Sequence, residues 1–312
     1  MTDAPAATQP ATQPAAQPVE VSLLRLPDGR DLEIAVSGPA EGVPFVWHHG
    51  TPGCVHQAAR MQAATAERGL RLVTYSRAGA GRSTRHPGRT VADIASDVAA
   101  LLDHLGADRC LTGGGSGGGP HTLATGALLP DRVAAVLCVC GVRPFEGALE
   151  EWLAGMGQDN LDEFGLALQG EDALRPYLVG HREAMLGASV DGVVEQLASL
   201  LPPVDRAVLH SGDVGADILA GLQGGVVSVD GWLDDDLAFT RHWGFELTAL
   251  AERGVPTYVW HGTADLMVPA AHGQWLAAAM PEAVFHLEEG EGHLSVSVGA
   301  FPRMLDELVT HL

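Results

Sequence analysis

The chain of 312 residues is 46% hydrophobic, which indicates a globular protein, and its formal net charge of -21 opposes binding to nucleic acids and anionic membranes. Every basic residue is arginine, which excludes Schiff-base chemistry and P-loop phosphate binding because both need a lysine amine. The four cysteines form no CxxC pair and are interpreted as small buried side chains, not as disulfides or metal ligands.

The N-terminal residues and the lengths of the apolar runs predict where the protein is located and which partners it has. Residues 1–18, with the near-repeat ATQPATQPAAQP, lack the basic start and apolar stretch of a secretory signal and predict a disordered tail. The longest apolar run, 133–142, is too short to span a bilayer. We therefore expect a cytoplasmic protein with a small-molecule substrate and no nucleic-acid or membrane partner; the sequence leaves the oligomeric state open.

From residue 19 onward, short β-rich runs alternate with helical patterns, which predicts an α/β protein with a mostly parallel central sheet and flanking helices. A hairpin turning at 27–29 is followed by a strand in VPFVWHHG, a helix over 55–68 and a strand in LRLVTYSR. Apolar residues share one face over 90–105, where Thr90 and Asp93 predict a capping box at the start of a helix.

The strand pattern is then interrupted. A strand in DRCLTG, a helix ending near Leu129 and a strand in RVAAVLCVCG precede about a hundred residues without a convincing strand. Strands resume in VPTYVWHG and AVFHLEEG, with a helix over 270–280 and a closing helix to the end. The predicted organisation is a core of 19–142 and 243–312 with an inserted helical cap, or lid, at 143–242.

The run TGGGSGGGPH at 112–121 has three interpretations. A flexible linker would separate domains, whereas this run joins a strand to a helix. A dinucleotide loop would use Gly113, Gly115 and Gly118 as G-x-G-x-x-G, but several strands precede it and no acid ends the next strand. The third is G-x-S-x-G, a nucleophile elbow in which Ser116 adopts positive φ and Gly114 and Gly118 let the backbones pass closely.

A serine nucleophile needs a base, an acid and an oxyanion hole, and the chain offers candidates in the order serine, acid, histidine. Asp265 follows the strand PTYVW as the histidine-orienting acid, with Glu146 as the alternative, and His293 lies in a glycine-bounded loop as general base. For the oxyanion hole, the backbone amides of Thr51 and Gly117 are the predicted donors.

These motifs, HHGTPG, YSRAGAGRS, GGSGG, HGTADLMVP and GEGH, resemble those of α/β-hydrolase-fold serine hydrolases, in the branch of proline iminopeptidases and esterases. The resemblance covers 19–142 and 243–312 and implies that Ser116, Asp265 and His293 form a catalytic triad beneath a helical cap. Two positions depart from it: Thr51 replaces the middle glycine of the iminopeptidase His-Gly-Gly-Pro-Gly, and Gly115 leaves space beside the nucleophile.

The leading functional hypothesis is a serine hydrolase that cleaves an ester, thioester or amide of a small to medium, partly apolar substrate through an acyl-enzyme. It needs no metal and no organic cofactor. One alternative is a proline-iminopeptidase-like aminopeptidase in which Glu150 or Glu151 pairs with the substrate amine. Another is a hydrolase scaffold used for ligand binding or for non-hydrolytic biosynthetic chemistry.

Several other residues have structural interpretations. His286 is predicted to be structural, and His121 to pack or to line the pocket. The Asp234–Asp235–Asp236 run is interpreted as a solvated helix start, with a calcium site as the alternative. Cap aromatics could line a pocket or simply be buried; they are Trp152, Phe164, Trp232, Phe239 and Trp243.

Overall fold

The computed structural model describes residues 19–312, and the tail predicted for 1–18 lies outside them. Eight strands form one sheet: β1 (Val21–Arg25), β2 (Asp31–Ser37), β3 (Pro44–His48), β4 (Arg71–Tyr75), β5 (Cys110–Gly115), β6 (Val133–Val139), β7 (Thr257–Gly262) and β8 (Val284–Glu288). Their order across the sheet is β1-β2-β4-β3-β5-β6-β7-β8. Pairing is antiparallel for β1–β2 and β2–β4 and parallel elsewhere. The predicted mostly parallel sheet is confirmed.

The helices lie between and beside these strands. They are α1 (Ala59–Glu67), α2 (Ile94–His104), α3 (Gly118–Leu128), α4 (Leu149–Trp152), α5 (Gln158–Ala167), α6 (Glu171–Leu186), α7 (Val190–Gln196), α8 (Pro203–Leu209), α9 (Val214–Gly225), α10 (Asp230–Phe239), α11 (Thr248–Glu252), α12 (Ala270–Ala279), α13 (His293–Gly299) and α14 (Phe301–Leu308). The predicted capping box is present, because the Asp93 carboxylate accepts the Thr90 N–H at 2.6 Å in front of α2.

Two predicted helix boundaries were wrong, and backbone hydrogen bonding explains the difference. The first helix begins at Ala59 rather than near Val55, because the Val55 N–H donates to Ser76 Oγ and its carbonyl accepts from Thr74 Oγ1. The closing helix is split into α13 and α14. Pro302, in the first turn of α14, has no N–H to continue the preceding helix.

The middle of the sheet is buried on both faces. All seven residues of β6 are buried, as expected for a parallel strand covered by helices on each side. Helix α3 packs on one face, while α14 contributes Met304, Leu305 and Leu308 to the other. This packing fixes the carboxyl ends of β5 and β7, from which the candidate catalytic residues extend.

Residues 143–242 contain α4 to α10 and, within the described chain, no strand. We call them the cap segment. Its helix α10 approaches the loop after β4 at backbone distance, since the Gly231 N–H donates to the Gly79 carbonyl at 3.1 Å. An added Cβ on Gly231 would lie 2.6 Å from the Ala80 nitrogen. Only glycine permits this close contact between the cap segment and residues 19–142 and 243–312, which carry all eight strands and which we call the sheet domain.

Candidate active site

Ser116 lies in the turn between β5 and α3 with a φ of +55°. Such a value is costly for a residue with a Cβ and persists only where the surroundings enforce it. Here the Ser116 N–H donates to the Val139 carbonyl at 2.9 Å, and the Ser116 carbonyl accepts from Gly119 at 2.8 Å. The turn therefore has the strained strand-to-helix geometry that the G-x-S-x-G pattern predicts.

The glycines at positions 114 and 118 give the turn its clearance. A Cβ on Gly114 would collide with the Gly118 carbonyl, and one on Gly118 would collide with the His48 carbonyl. Gly115 behaves differently: the Trp47 ring lies 3.3 Å from the position of its missing Cβ. The interpretation that Gly115 leaves open space beside the nucleophile was therefore wrong on that side, because Trp47 fills it.

Asp265 and His293 form a buried hydrogen-bonded pair. The Asp265 Oδ2 accepts from His293 Nδ1 at 2.7 Å, while its Oδ1 accepts the N–H groups of Met267 and Val268, both at 2.9 Å. These backbone bonds fix the carboxylate in the loop after β7. With Nδ1 bound to Asp265, Nε2 is the histidine nitrogen left for proton transfer.

The electrostatics of this pair favour a carboxylate beside a basic imidazole. Burial alone would raise the pKa of Asp265, but the charge and hydrogen bond of His293 outweigh it and lower that pKa. Burial would lower the pKa of His293, but the charge and hydrogen bond of Asp265, with a contribution from Asp205, raise it above its ordinary value. A histidine with this environment is a stronger proton acceptor than a free imidazole.

The loop after β3 lies against the serine turn. A Cβ on Gly50 would lie 3.5 Å from the Ser116 Cβ, and a Cβ on Gly117 would collide with the Thr51 side chain. Within residues 19–312, the N–H groups of Thr51 and Gly117 donate to no other residue. Two unpartnered backbone donors thus border the same space next to Ser116.

Arg77 holds the backbone of the loop after β3. Its guanidinium, 1% exposed, donates to the His49 carbonyl and, at 2.9 Å, to the Gly50 carbonyl. The Gly50–Thr51 peptide is trans, so its N–H points away from the carbonyl that Arg77 holds. The Thr51 hydroxyl donates to Asp235 of α10 at 2.6 Å, which gives a structural reason for threonine at this position.

Asp235 is the centre of a buried ionic network between the cap segment and the sheet domain. It accepts from Arg77 and from Arg89, the latter at 2.6 Å, and is itself 2% exposed. Burial raises its pKa, but the two arginines outweigh burial and hold the pKa well below the ordinary range. The interpretation of Asp234–Asp235–Asp236 as a solvated helix start was wrong, since all three lie buried within α10.

A cavity of about 350 Å³ joins these elements. Ser116, His293 and Trp47 line its floor, and Phe164, Trp232 and Phe239 line it from the cap segment. Trp152 and Trp243, also considered as lining residues, are instead buried in the hydrophobic core. The volume suits a small or medium ligand, and the wall is largely apolar.

Four carboxyl groups of the cap segment also line the cavity, those of Asp159, Glu163, Asp217 and Asp236. Asp236 is 1% exposed and shares a side-chain hydrogen bond with Glu163, which also accepts from Trp232 Nε1 at 2.7 Å. Burial and the neighbouring Glu163 charge raise the pKa of Asp236, and burial raises the pKa of Glu163 to about 7. No local sequence pattern predicts the pairing of Asp236 with Glu163, because the two residues are far apart along the chain.

The other candidates lie away from the serine. Glu146 is exposed near Arg143, and Glu151 is an exposed partner of the same arginine. Glu150 is exposed and, like Glu151, does not line the cavity. His286 stacks on Trp260 at a centroid distance of 4.0 Å. Its predicted structural role agrees with this contact.

His121 and the cysteines are buried. The His121 Nδ1 bonds to the Gly117 carbonyl at 2.8 Å, which fits the predicted packing role. The four cysteines are free and buried, as interpreted. One of them, Cys140, lies with Asp265 and His293 in a group whose potential ligand atoms are within 4.8 Å of one another. In this group, Asp265 Oδ2 and His293 Nδ1 are already joined to each other by their short hydrogen bond.

A model of the α/β-hydrolase fold family matches residues 43–171. The chain has the α/β-hydrolase fold, and the sheet order and the serine turn agree with that match. In the described part of the chain, no helix combines the length and the apolar character that crossing a membrane requires.

Among similar proteins, a non-heme chloroperoxidase of Streptomyces lividans is 30% identical over 47% of this chain and only 54% of its own length. A proline iminopeptidase of Neisseria gonorrhoeae is 26% identical over 88% of each chain. The crystal structure of a hydrolase from Pseudomonas aeruginosa PA01 superposes with a TM-score of 0.66 at 23% identity, covering 93% of this chain and 98% of the other. Relatives with different activities share this fold, so the substrate must be argued from the site.

Proposed function

We propose that the protein is a serine hydrolase that cleaves an ester, thioester or amide through an acyl-enzyme. The observation that carries the proposal is Ser116 at positive φ in the same cavity as the Asp265-bound His293. The cap segment supplies the apolar upper wall, which favours a small to medium, partly apolar acyl or leaving group.

In the proposed reaction, His293 Nε2 takes the Ser116 proton as Oγ attacks the acyl carbon. Asp265 keeps the Nδ1 proton in place and stabilises the imidazolium. The N–H groups of Thr51 and Gly117 donate to the oxyanion of the tetrahedral intermediate, each contributing about 3 kcal/mol. The imidazolium then protonates the leaving group. Water, deprotonated by His293, then attacks the acyl carbon, the bond between that carbon and Ser116 Oγ breaks, and the imidazolium returns its proton to Oγ as the acid leaves.

The test compares Ser116→Ala with Ser297→Ala, since Ser297 is a second serine lining the cavity. On short aryl esters, Ser116→Ala should lose about 10⁴-fold or more in kcat and all labelling by a fluorophosphonate. Ser297→Ala should retain labelling. A wild-type protein that neither labels nor turns over esters or arylamides would contradict the acyl-enzyme proposal.

The buried Asp236 and Glu163 carboxyl pair in the cavity wall favours a second candidate, an aminopeptidase whose substrate carries a free amine. Both residues line the cavity, where an amine of the substrate would meet them, whereas the exposed Glu150 and Glu151 do not line it. Proline and alanine arylamides with free and acetylated amines test this candidate. Asp236→Asn should raise KM for the free amines alone, and failure to cleave any amino-acid arylamide would exclude it.

A further inference from the structure

Asp205, on α8 of the cap segment, contacts the element that carries the candidate base. Its carboxylate is fully buried, and it accepts the N–H of His293 at 2.8 Å, of Leu294 at 3.1 Å and of Ser295 at 2.8 Å. These are the first three residues of α13, whose N–H groups have no partner within their own helix. A residue 88 positions away along the chain therefore closes the start of the histidine helix.

Gly292, which precedes His293, also packs closely against the Asp205 carboxylate. An added Cβ on Gly292 would lie 2.5 Å from each carboxylate oxygen of Asp205. The residue before the histidine thus has to be glycine for the carboxylate to reach the helix end. Since the imidazole is attached to the same residue whose N–H Asp205 binds, a shift of this carboxylate moves His293 relative to Ser116.

We infer that Asp205 is a positioning residue of the cap segment, which holds the His293 backbone and makes the base depend on the docked position of α8. This inference rests on the proposed function, because it assigns a role to the base of that reaction. Among the described residues, the Asp205 carboxylate makes no hydrogen bond to the imidazole nitrogens or to Ser116; it acts through the backbone of α13.

Its charge adds a second effect. The titratable groups that face His293 are Asp265 after β7, His261 on β7, Cys140 after β6 and Asp205 on α8. Burial keeps Cys140 a neutral thiol by raising its pKa, and lowers the pKa of His261, so the two carboxylates are the charges that matter. Removing the Asp205 charge leaves Asp265 alone to oppose burial, which lowers the pKa of His293.

The experiment compares Asp205→Asn and Asp205→Glu with Asp191→Asn, a control on an exposed cap aspartate. Asp205→Asn should lower kcat for aryl esters about 10- to 100-fold, as expected for a displaced catalytic group, with KM nearly unchanged. The neutral imidazole is the active base, so the acidic limb of its kcat/KM profile should move to lower pH. Asp205→Glu, which keeps the charge, should keep the wild-type limb with a reduced kcat.

Histidine NMR titration separates this inference from the proposed function. The His293 signal, assigned by its loss in His293→Gln, should titrate at lower pH in Asp205→Asn than in wild type or Asp191→Asn. A folded Asp205→Asn with wild-type kcat and wild-type titration would overturn the inference. If Asp205→Asn does not fold, an Asp205→Glu protein with wild-type kcat overturns it. A wild-type protein without hydrolase activity would refute the proposed function, while the titration would still decide the role of Asp205.

Discussion

The sheet domain and the cap segment use their polar residues in different ways. In the sheet domain, Ser116, Asp265 and His293 follow β5, β7 and β8 within short sequence motifs. In the cap segment, Asp205, Asp235 and Asp236 lie on helices without any motif, and their roles come from residues they meet in the folded chain. The candidate catalytic residues of the sheet domain can therefore be recognised from local sequence, whereas the roles of the cap-segment residues depend on tertiary contacts.

The largest expected effect belongs to the sheet domain. Asp265→Asn keeps the shape of the side chain but removes the charge that fixes the His293 tautomer, so kcat for aryl esters should fall about 10⁴-fold. Steady-state kinetics measure it. Glu146→Gln is the control, since Glu146 is the exposed alternative acid. A larger loss in Glu146→Gln than in Asp265→Asn would reverse the assignment of the acid.

The next effect concerns stability and the cap segment. Asp235→Asn leaves Arg77 and Arg89 buried without their counter-charge, so the free energy of unfolding should fall by about 3–5 kcal/mol. Urea denaturation measures the change. Asp234→Asn is the matched control on the same helix, because its partner Arg85 keeps Glu171 and Asp230 and is partly exposed. Equal losses in the two variants would contradict the central role of Asp235.

Asp236→Asn should change the free energy of unfolding in the opposite direction from Asp235→Asn. Because the folded pKa of Glu163 is raised to about 7 from 4.5, the folded state holds extra protons in this window, and stability falls as pH rises through it. Burial also raises the pKa of Asp236 well above its ordinary value, so replacing this second buried acid with asparagine should raise the free energy of unfolding by about 1–2 kcal/mol at pH 8. At pH 4.5 the gain should vanish. Thermal unfolding at the two pH values measures it, and a gain independent of pH would contradict the mechanism.

The smallest effect is expected at the exposed cap acids. Glu151→Gln breaks an ion pair with Arg143 in which the Glu151 side chain is 73% exposed, so stability should change by less than about 0.5 kcal/mol. Its KM for free-amine arylamides should also match wild type. A raised KM would return Glu151 to the candidates for an amine contact, and would weaken the contrast drawn with Asp236.

These differences show what the sequence could and could not predict. Parallel strands end at one edge of a sheet, so residues following β5 and β7 were predictable as neighbours once the strands were recognised. The Asp235–Thr51 hydrogen bond joins positions 184 residues apart and depends on how α10 docks, which no local pattern records. Three adjacent aspartates were interpreted as solvated because acids rarely lie buried, yet arginines of the sheet domain and the cavity surround them.

The contact between Gly292 and Asp205 also limits how this architecture can be varied. A chimera with a foreign segment in place of 143–242 and no carboxylate at the position of Asp205 would leave the first amides of α13 unsatisfied. Under the proposed function, such a graft would therefore lower turnover. A successful chimera needs this one acid carried over, or a new residue at 292 that fills the gap.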